Sequence, residues 1–309
     1  LLGYLKEEKK DFIVLVGSLT NSNKIIKKLK AEKDILIVPQ EYFIEYLDYL
    51  KVAFLTFFNK PKLKNKILFR DIDLTELVNR CLDKDYENGE VYNNFLYYYY
   101  MKGLLKKVEV RNFIYVFENR AWERISILAI KKYSPLTKIT GYVHSSVRQS
   151  YLGYFQSNIE KDIVPSPDKI LTVGGVAVSM LSRLGNFSDK IELKEGCALR
   201  CEYFFKNNAK RIKGCNVVVA FSIDIGCAIR LCKFLNDAFP VTYKHRIVLR
   251  PHPFTPLEGL IKTHGLELNN NFEISKYAML EQDLKDVNVL IYTDSTAGME
   301  ALMLGIPVI

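Results

Sequence analysis

Short apolar runs alternate with amphipathic stretches along almost the whole chain. Residues 12–16, 35–38, 113–117 and 138–144 are of strand length and rich in Val, Ile, Leu, Phe and Tyr. Residues 24–31, 42–58, 74–82, 92–105 and 121–132 carry apolar positions at helical spacing, and 18–23 reads as a turn. The rhythm resumes in the second half, with strands at 170–173, 216–221, 246–250, 272–275 and 288–292 and helices at 227–239, 279–285 and 297–304. Strand–helix alternation of this kind predicts parallel sheets covered by helices on both faces, an α/β architecture of two Rossmann-like lobes. Val164-Pro165-Ser166-Pro167-Asp168 is punctuated like a linker, and the boundary is placed there, giving domains 1–164 and 165–309. Pro307-Val308-Ile309 begins a further strand where the chain stops, and the chain starts without Met, so the second lobe is expected to be truncated.

Length and composition agree with two globular domains. The chain has 309 residues, 49% hydrophobic and 26% charged, which excludes a disordered class. No apolar stretch is long enough to span a bilayer, and the N-terminus has no signal-peptide pattern. The six cysteines form no CxxC pair and have no His at metal-ligand spacing, so no metal site is expected. They read as buried, reduced thiols of a cytoplasmic protein.

The net charge of +9 suits a phosphorylated substrate, an anionic membrane or nucleic acid. Lysines at 24, 27, 28 and 30 and at 60, 62, 64 and 66 alternate with apolar residues, as on solvated helix faces. Neither a zinc finger nor an RNA-recognition signature is present, so nucleic acid is not an expected partner. The run Tyr97-Tyr98-Tyr99-Tyr100 reads either as rings packed on the domain or as a surface for an acceptor or a membrane.

Two motifs in the second half carry the chemistry. Val248-Leu249-Arg250-Pro251-His252-Pro253 brings Arg250 and His252 to the end of a strand, where open α/β sheets bind ligands. Arg offers a planar fork for phosphate, and His a hydrogen-bond donor on a turn stiffened by two prolines. Thr293-Asp294-Ser295-Thr296-Ala297-Gly298-Met299-Glu300 passes from a strand into a helix. Ser295 and Thr296 fall at the helix start, where free N–H groups favour an anion. Gly298 permits close approach of a backbone or ligand, and Glu300 is placed to reach a ribose hydroxyl.

Taken together, these motifs resemble the nucleotide-binding lobe of GT-B glycosyltransferases. The resemblance is nearest to bacterial surface-carbohydrate enzymes: polysialyltransferases, capsule Kdo transferases and CDP-glycerol glycerophosphotransferases. It implies that Arg250, His252, Ser295 and Thr296 hold the phosphate of a nucleotide-sugar donor, CMP-, CDP- or UDP-linked, used as co-substrate with no cofactor. It also implies that His252 can serve as an acid on the leaving phosphate. UDP-N-acetylglucosamine 2-epimerases share that fold and a similar strand-to-helix turn, so epimerase, glycerophosphotransferase and non-catalytic nucleotide-sugar-binding readings stay open.

The first half adds Phe117-Glu118-Asn119-Arg120-Ala121-Trp122-Glu123-Arg124 and Gly141-Tyr142-Val143-His144-Ser145-Ser146 at the ends of consecutive strands. With the Pro-x-Pro-Asp stretch and Ala198-Leu199-Arg200-Cys201-Glu202-Tyr203, they are similar to a family of surface carbohydrate biosynthesis proteins over roughly residues 110 to 309. The acceptor implied is a surface polysaccharide, capsule or lipopolysaccharide glycan, lipid-linked or not. Basic helices would touch the anionic inner face of a membrane. A transferase needs a base for the acceptor hydroxyl; Glu118 is the first choice, His144 the imidazole candidate and Glu123 a further carboxylate, expected to bind substrate. Trp122 is a sugar platform or a core residue, and Gly174, in a Gly-Gly helix entry, is a weak donor-side contact. Asp71-Ile72-Asp73 has the letters of a metal motif but reads as a helix cap.

Overall fold

A computed structural model describes residues 5, 7–17, 35–61, 63, 65–199, 216–277, 279–293 and 295–309. The turn expected at 18–23, the helix at 24–31, Lys62, Lys64, Asp294, and the segment from Arg200 that includes Cys201 and Cys215 lie outside the described residues. The chain divides into two compact units, Leu1–Leu199 and Arg200–Ile309.

The first unit opens with a parallel pair, β1 (Ile13–Val16) and β2 (Leu36–Pro39), followed by helix α1 (Tyr46–Phe58). A two-strand antiparallel hairpin, β3 (Leu68–Phe69) and β4 (Ile72–Asp73), turns through Arg70 and Asp71, both with positive φ. Asp73 accepts the Thr75 backbone N–H at 2.9 Å at the start of α2 (Thr75–Glu87), so the Asp71–Asp73 pair serves a turn and a helix entry. Helix α3 (Glu90–Lys107) contains the four tyrosines. Tyr100 is buried in the core, and Tyr97, Tyr98 and Tyr99 pack against it, which settles their role as packing. Gly103 of this helix lies so close to the Phe43 carbonyl that any side chain would collide with it.

A four-stranded parallel sheet follows in sequence order: β5 (Asn112–Val116), β6 (Lys138–Tyr142), β7 (Lys169–Thr172) and β8 (Glu192–Glu195). Helix α4 (Ala121–Tyr133) joins the first two strands, and α5 (Gly175–Leu184) the last two. The core beneath is made of Phe117, Ile127, Ile130, Ile139, Ile170 and Leu181, all almost fully buried. This sheet corrects the expected boundary at 164/165. β7 hydrogen-bonds to β6, so residues 165–199 belong to the first unit, and the proline-rich stretch is an internal connection. Prolines signal a chain reversal but do not say whether the next strand joins the old sheet or starts a new one.

The second unit holds β9 (Val217–Ala220), α6 (Ile225–Ala238), β10 (Ile247–Arg250), α7 (Leu257–His264), β11 (Phe272–Ile274), the short α8 (Leu280–Asp283), β12 (Val289–Tyr292) and α9 (Ala297–Met303). The sheet is parallel, in the order β11-β10-β9-β12. Its central strand, Val-Val-Val-Ala, is buried throughout, as a strand covered on both faces must be. Val217 and Val219 pack with α6 and α7 on one face, and Val218 and Ala220 with α9 on the other. The strand expected from Pro307 is seen as a parallel bridge from Val308 to Leu290. Of the described cysteines, Cys232 is buried, but Cys81 and Cys197 are exposed, against the expectation of buried thiols. Among the described residues no helix is long and apolar enough to cross a membrane.

Candidate active site

The strand order of the second unit fixes where a ligand can sit. From β9 the chain steps to β10 and β11, then crosses back to place β12 on the other side of β9. The helix after β9 lies on one face of the sheet and the helix after β12 on the other. Between the carboxyl ends of β9 and β12 the two connections therefore diverge and leave a crevice. This reversal is the place where open α/β sheets bind ligands. The loop 221–224 and residues Ser295 and Thr296 border it.

Each loop is held by short local bonds. Buried Ser222 accepts the Asp224 N–H at 3.0 Å, and Asp224 Oδ1 accepts the Cys227 N–H at 2.6 Å, capping α6. That last bond is the main reason the Asp224 carboxyl is held below its ordinary value. Ser295 Oγ accepts the Ala297 N–H at 3.3 Å, and Thr296 Oγ1 donates to Glu300 Oε1 at 3.3 Å. Glu300 thus supports the entry of α9, a helix of only seven residues. Gly298 has a different reason from the one expected: a Cβ there would lie 2.4–2.7 Å from the Tyr292 ring. The close approach is by a side chain of the protein.

Arg250 and His252, adjacent in the motif, have separate fates. Arg250 Nη1 bonds Asp283 Oδ2 at 2.5 Å and the Tyr277 carbonyl at 3.0 Å. Its side chain is 15% exposed, that of Asp283 1%, and Ser275 Oγ donates to both Asp283 oxygens at 2.8 and 2.7 Å. This nitrogen is committed to a buried ion pair that ties the end of β10 to α8. His252 stands beyond the strand. Its Nδ1 accepts the Phe254 N–H at 3.3 Å, so the neutral ring carries its proton on Nε2. Burial lowers its pKa below the usual imidazole value, favouring that neutral donor. Thr255 Oγ1 donates to the Ile223 carbonyl at 3.1 Å, joining the His252 loop to the loop after β9.

In the first unit Glu118, His144 and Gly174 follow β5, β6 and β7, so all three belong to the carboxyl edge of that sheet. Gly174, expected on the donor side, is therefore in the first unit, and Thr172 Oγ1 donates to its carbonyl at 2.9 Å. Glu123 is 1% exposed and accepts the backbone N–H groups of Glu118 at 3.0 Å and Asn119 at 3.0 Å. From the third position of α4 it reaches back to the turn ahead of the helix, whose N-cap, Arg120, has no side-chain cap bond. Burial pushes its carboxyl up to about 7, against the pull of those bonds and of the Arg120 N–H. Asn119, with φ 59°, donates to the Gly153 carbonyl at 2.9 Å and accepts from Arg124 at 3.2 Å. The expected substrate-binding role of Glu123 gives way to a structural one. Trp122, ring centroids 5.3 Å from Tyr97 and 6.2 Å from Tyr115, packs against the core. Glu118 Oε2 accepts from Arg120 Nε at 2.6 Å, whereas His144 Nδ1 is buried without a hydrogen-bond partner among the described residues.

Sequence reasoning missed Ser222, Asp224 and Asp283. The Ser-x-Asp cap after an all-apolar strand was a usable signal for the first two. Nothing local links Asp283 to Arg250, which lies 33 residues away. Among the described residues no three His, Cys, Asp or Glu side chains are grouped to hold a metal ion.

No protein-family model matches the chain, and no curated protein matches it in sequence. Solved structures do match. The calicheamicin glycosyltransferase CalG4 aligns with a TM-score of 0.52 at 10% identity, covering 98% of this chain and 73% of its own. The fold is of the GT-B type. A UDP-N-acetylglucosamine 2-epimerase from Rickettsia bellii (TM-score 0.47, 12% identity, 96% of this chain and 77% of that one) is also similar. So is TarM (TM-score 0.48, 10% identity, 99% and 79%). Identities this low speak to the fold alone, and GT-B architecture accounts for the two parallel-sheet units.

Proposed function

We propose that this protein is a glycosyltransferase that moves a sugar from a CMP-, CDP- or UDP-linked donor to a surface polysaccharide, capsule or lipopolysaccharide acceptor, without a metal. The observation that supports this best is the strand-order reversal at β9/β12, bordered by Ser222, Ser295 and Thr296. His252 stands on the neighbouring loop with its proton on Nε2. In this reading the donor's nucleotide lies at that crevice. The sugar–phosphate bond breaks, the acceptor oxygen bonds to the sugar, and the acceptor proton passes to a base. The leaving nucleotide takes up the bonding pair as negative charge, which the His252 N–H stabilises. Glu118 and His144 are the base candidates, and the ion pair of Glu118 with Arg120 favours His144. Basic helices of the first half would hold the enzyme at an anionic cytoplasmic surface.

Calorimetry of the chain with CMP, CDP, UDP and GDP tests the donor site. One nucleotide binds preferentially, and His252→Ala weakens it about tenfold, the loss of one hydrogen bond to a charged group. Product analysis with the matching nucleotide sugar then separates transfer from epimerisation. Unchanged turnover in His252→Ala, or an epimerised nucleotide sugar with no transferred glycan, sinks the proposal.

A further inference from the structure

The turn after β5 runs through a left-handed residue. Asn119 stands there with φ 59°, a conformation that Gly adopts without strain and Asn adopts more readily than most other residues. Gly would fit the backbone, so what distinguishes Asn at this position is its amide. The residue is 9% exposed, and the amide is used at both ends. Its Nδ2–H donates to the Gly153 carbonyl at 2.9 Å, and its Oδ1 accepts Arg124 Nε at 3.2 Å. Arg124 continues to Glu160 Oε1 at 3.3 Å, and Glu160 Oε2 accepts the Ser157 N–H at 2.9 Å.

These bonds leave the turn and land on the segment that follows β6, the segment that also carries His144. Tyr154, next to Gly153, is buried there. Its ring stacks on Phe117 with centroids 6.2 Å apart, and its hydroxyl lies beside the side chain of Ser145, the neighbour of His144. A continuous path therefore runs from Glu118 through Asn119, Gly153, Tyr154 and Ser145 to His144. The sheet does not depend on it, because the Phe117 N–H already pairs with the Tyr142 carbonyl and the Val143 N–H with the Leu171 carbonyl. What the path adds is a fixed relation between two loops that β5 and β6 alone would leave to move separately. A buried amide locks such a relation, since parting the loops leaves polar groups unpaired.

We infer that Asn119 is a positioning residue: its amide holds the loop bearing Glu118 to the loop bearing His144 and so fixes the spacing of the two. The tie stands on its own geometry, and its use in taking a proton from the acceptor rests on the transferase reading. Asn119→Gly tests it, because Gly keeps the backbone conformation and loses both side-chain bonds. The chain has four histidines, and His245, His252 and His264 all lie in the second unit. In an NMR spectrum of isotope-labelled histidine the His144 signal shifts or broadens in the variant, while the other three stay in place. The bonded amides of Tyr154 and Phe155 exchange about tenfold faster or more, and those of β5 to β8 keep the parent rate. An unmoved His144 signal overturns the inference. So does faster exchange throughout the first sheet, which would make Asn119 a residue of general stability. With the nucleotide sugar chosen by the calorimetry panel, kcat for transfer falls about tenfold or more while nucleotide Kd stays within about twofold. An unchanged kcat would deny the tie any part in transfer. A parent that transfers no sugar sinks the transferase reading instead and leaves the histidine signal to decide the tie.

Discussion

The two sheets are built from the same parts and differ in strand order. The first runs β5-β6-β7-β8, each strand beside the one made before it, with no reversal among these four. The second places its earliest strand inside and its last strand on the far flank. Only that reversal sends successive connections to opposite faces and opens a crevice at the carboxyl edge. The loops follow the same division. In the first unit the loop after β5 is clamped from within, by buried Glu123 and by Asn119. In the second unit hydroxyls and a cap hold the crevice loops, and a buried charge pair, Arg250–Asp283, stands behind them. The loop after β5 is thus clamped by a buried carboxylate, and the loops at the second reversal by short local bonds.

The largest effect expected from breaking this division is at Arg250–Asp283. Arg250→Ala leaves the Asp283 carboxylate buried with Ser275 as its remaining side-chain partner among the described residues and should cost about 3–5 kcal/mol in a denaturant titration. If Arg250 instead spends itself on donor phosphate, stability barely moves and nucleotide affinity falls. Glu123 comes next. Its folded carboxyl titrates near 7 and its ordinary value is 4.5, so the folded state keeps a proton that the unfolded state gives up. Its contribution is complete below pH 4.5 and is lost as pH rises through 7, about 3 kcal/mol in all. Glu123→Gln should flatten that part of the stability–pH curve, and an unchanged slope would show that the group titrates elsewhere.

Gly298→Ala is expected to cost about 1–3 kcal/mol, because the new methyl meets the Tyr292 ring. Pairing it with Tyr292→Leu should recover part of the loss. The smallest stability change belongs to His252→Ala, within about 0.5 kcal/mol. The same variant should lose about 1.4 kcal/mol of nucleotide binding, the tenfold change expected in calorimetry. A His252 variant that unfolds readily and binds nucleotide normally would reverse the comparison between the two edges.

Much of the architecture is legible in the sequence because parallel strands buried on both faces are continuous apolar runs. The Val-Val-Val-Ala strand and the Ile-Val-Leu-Arg strand announce themselves. Strand order does not, since β7 reads alike whether it extends a sheet or founds one. That is why the sequence points to a boundary at residue 164 and carries no sign of the reversal between β9 and β12. At the candidate site, local motif is what singles out His252, Ser295 and Thr296. For Glu123 and Arg250 residue type signals chemistry and says nothing of the intramolecular partners that each also has. Trp122 and Gly298 show the same blindness for packing: both are explained by rings, those of Tyr97, Tyr115 and Tyr292, that the sequence does not place.

The Asn216–Asn288 contact has a consequence for how the protein is made. The Asn216 N–H reaches Asn288 Oδ1 at 2.9 Å, and the Asn288 N–H returns to the Asn216 carbonyl at 3.0 Å, fastening the starts of β9 and β12. On the ribosome the first sheet has all its strands once Glu195 has emerged. The second must hold its innermost strand with one flank bare until Tyr292 is out. During that interval Val217–Ala220 offers an unpaired, wholly apolar edge, the part of the nascent chain most in need of a chaperone.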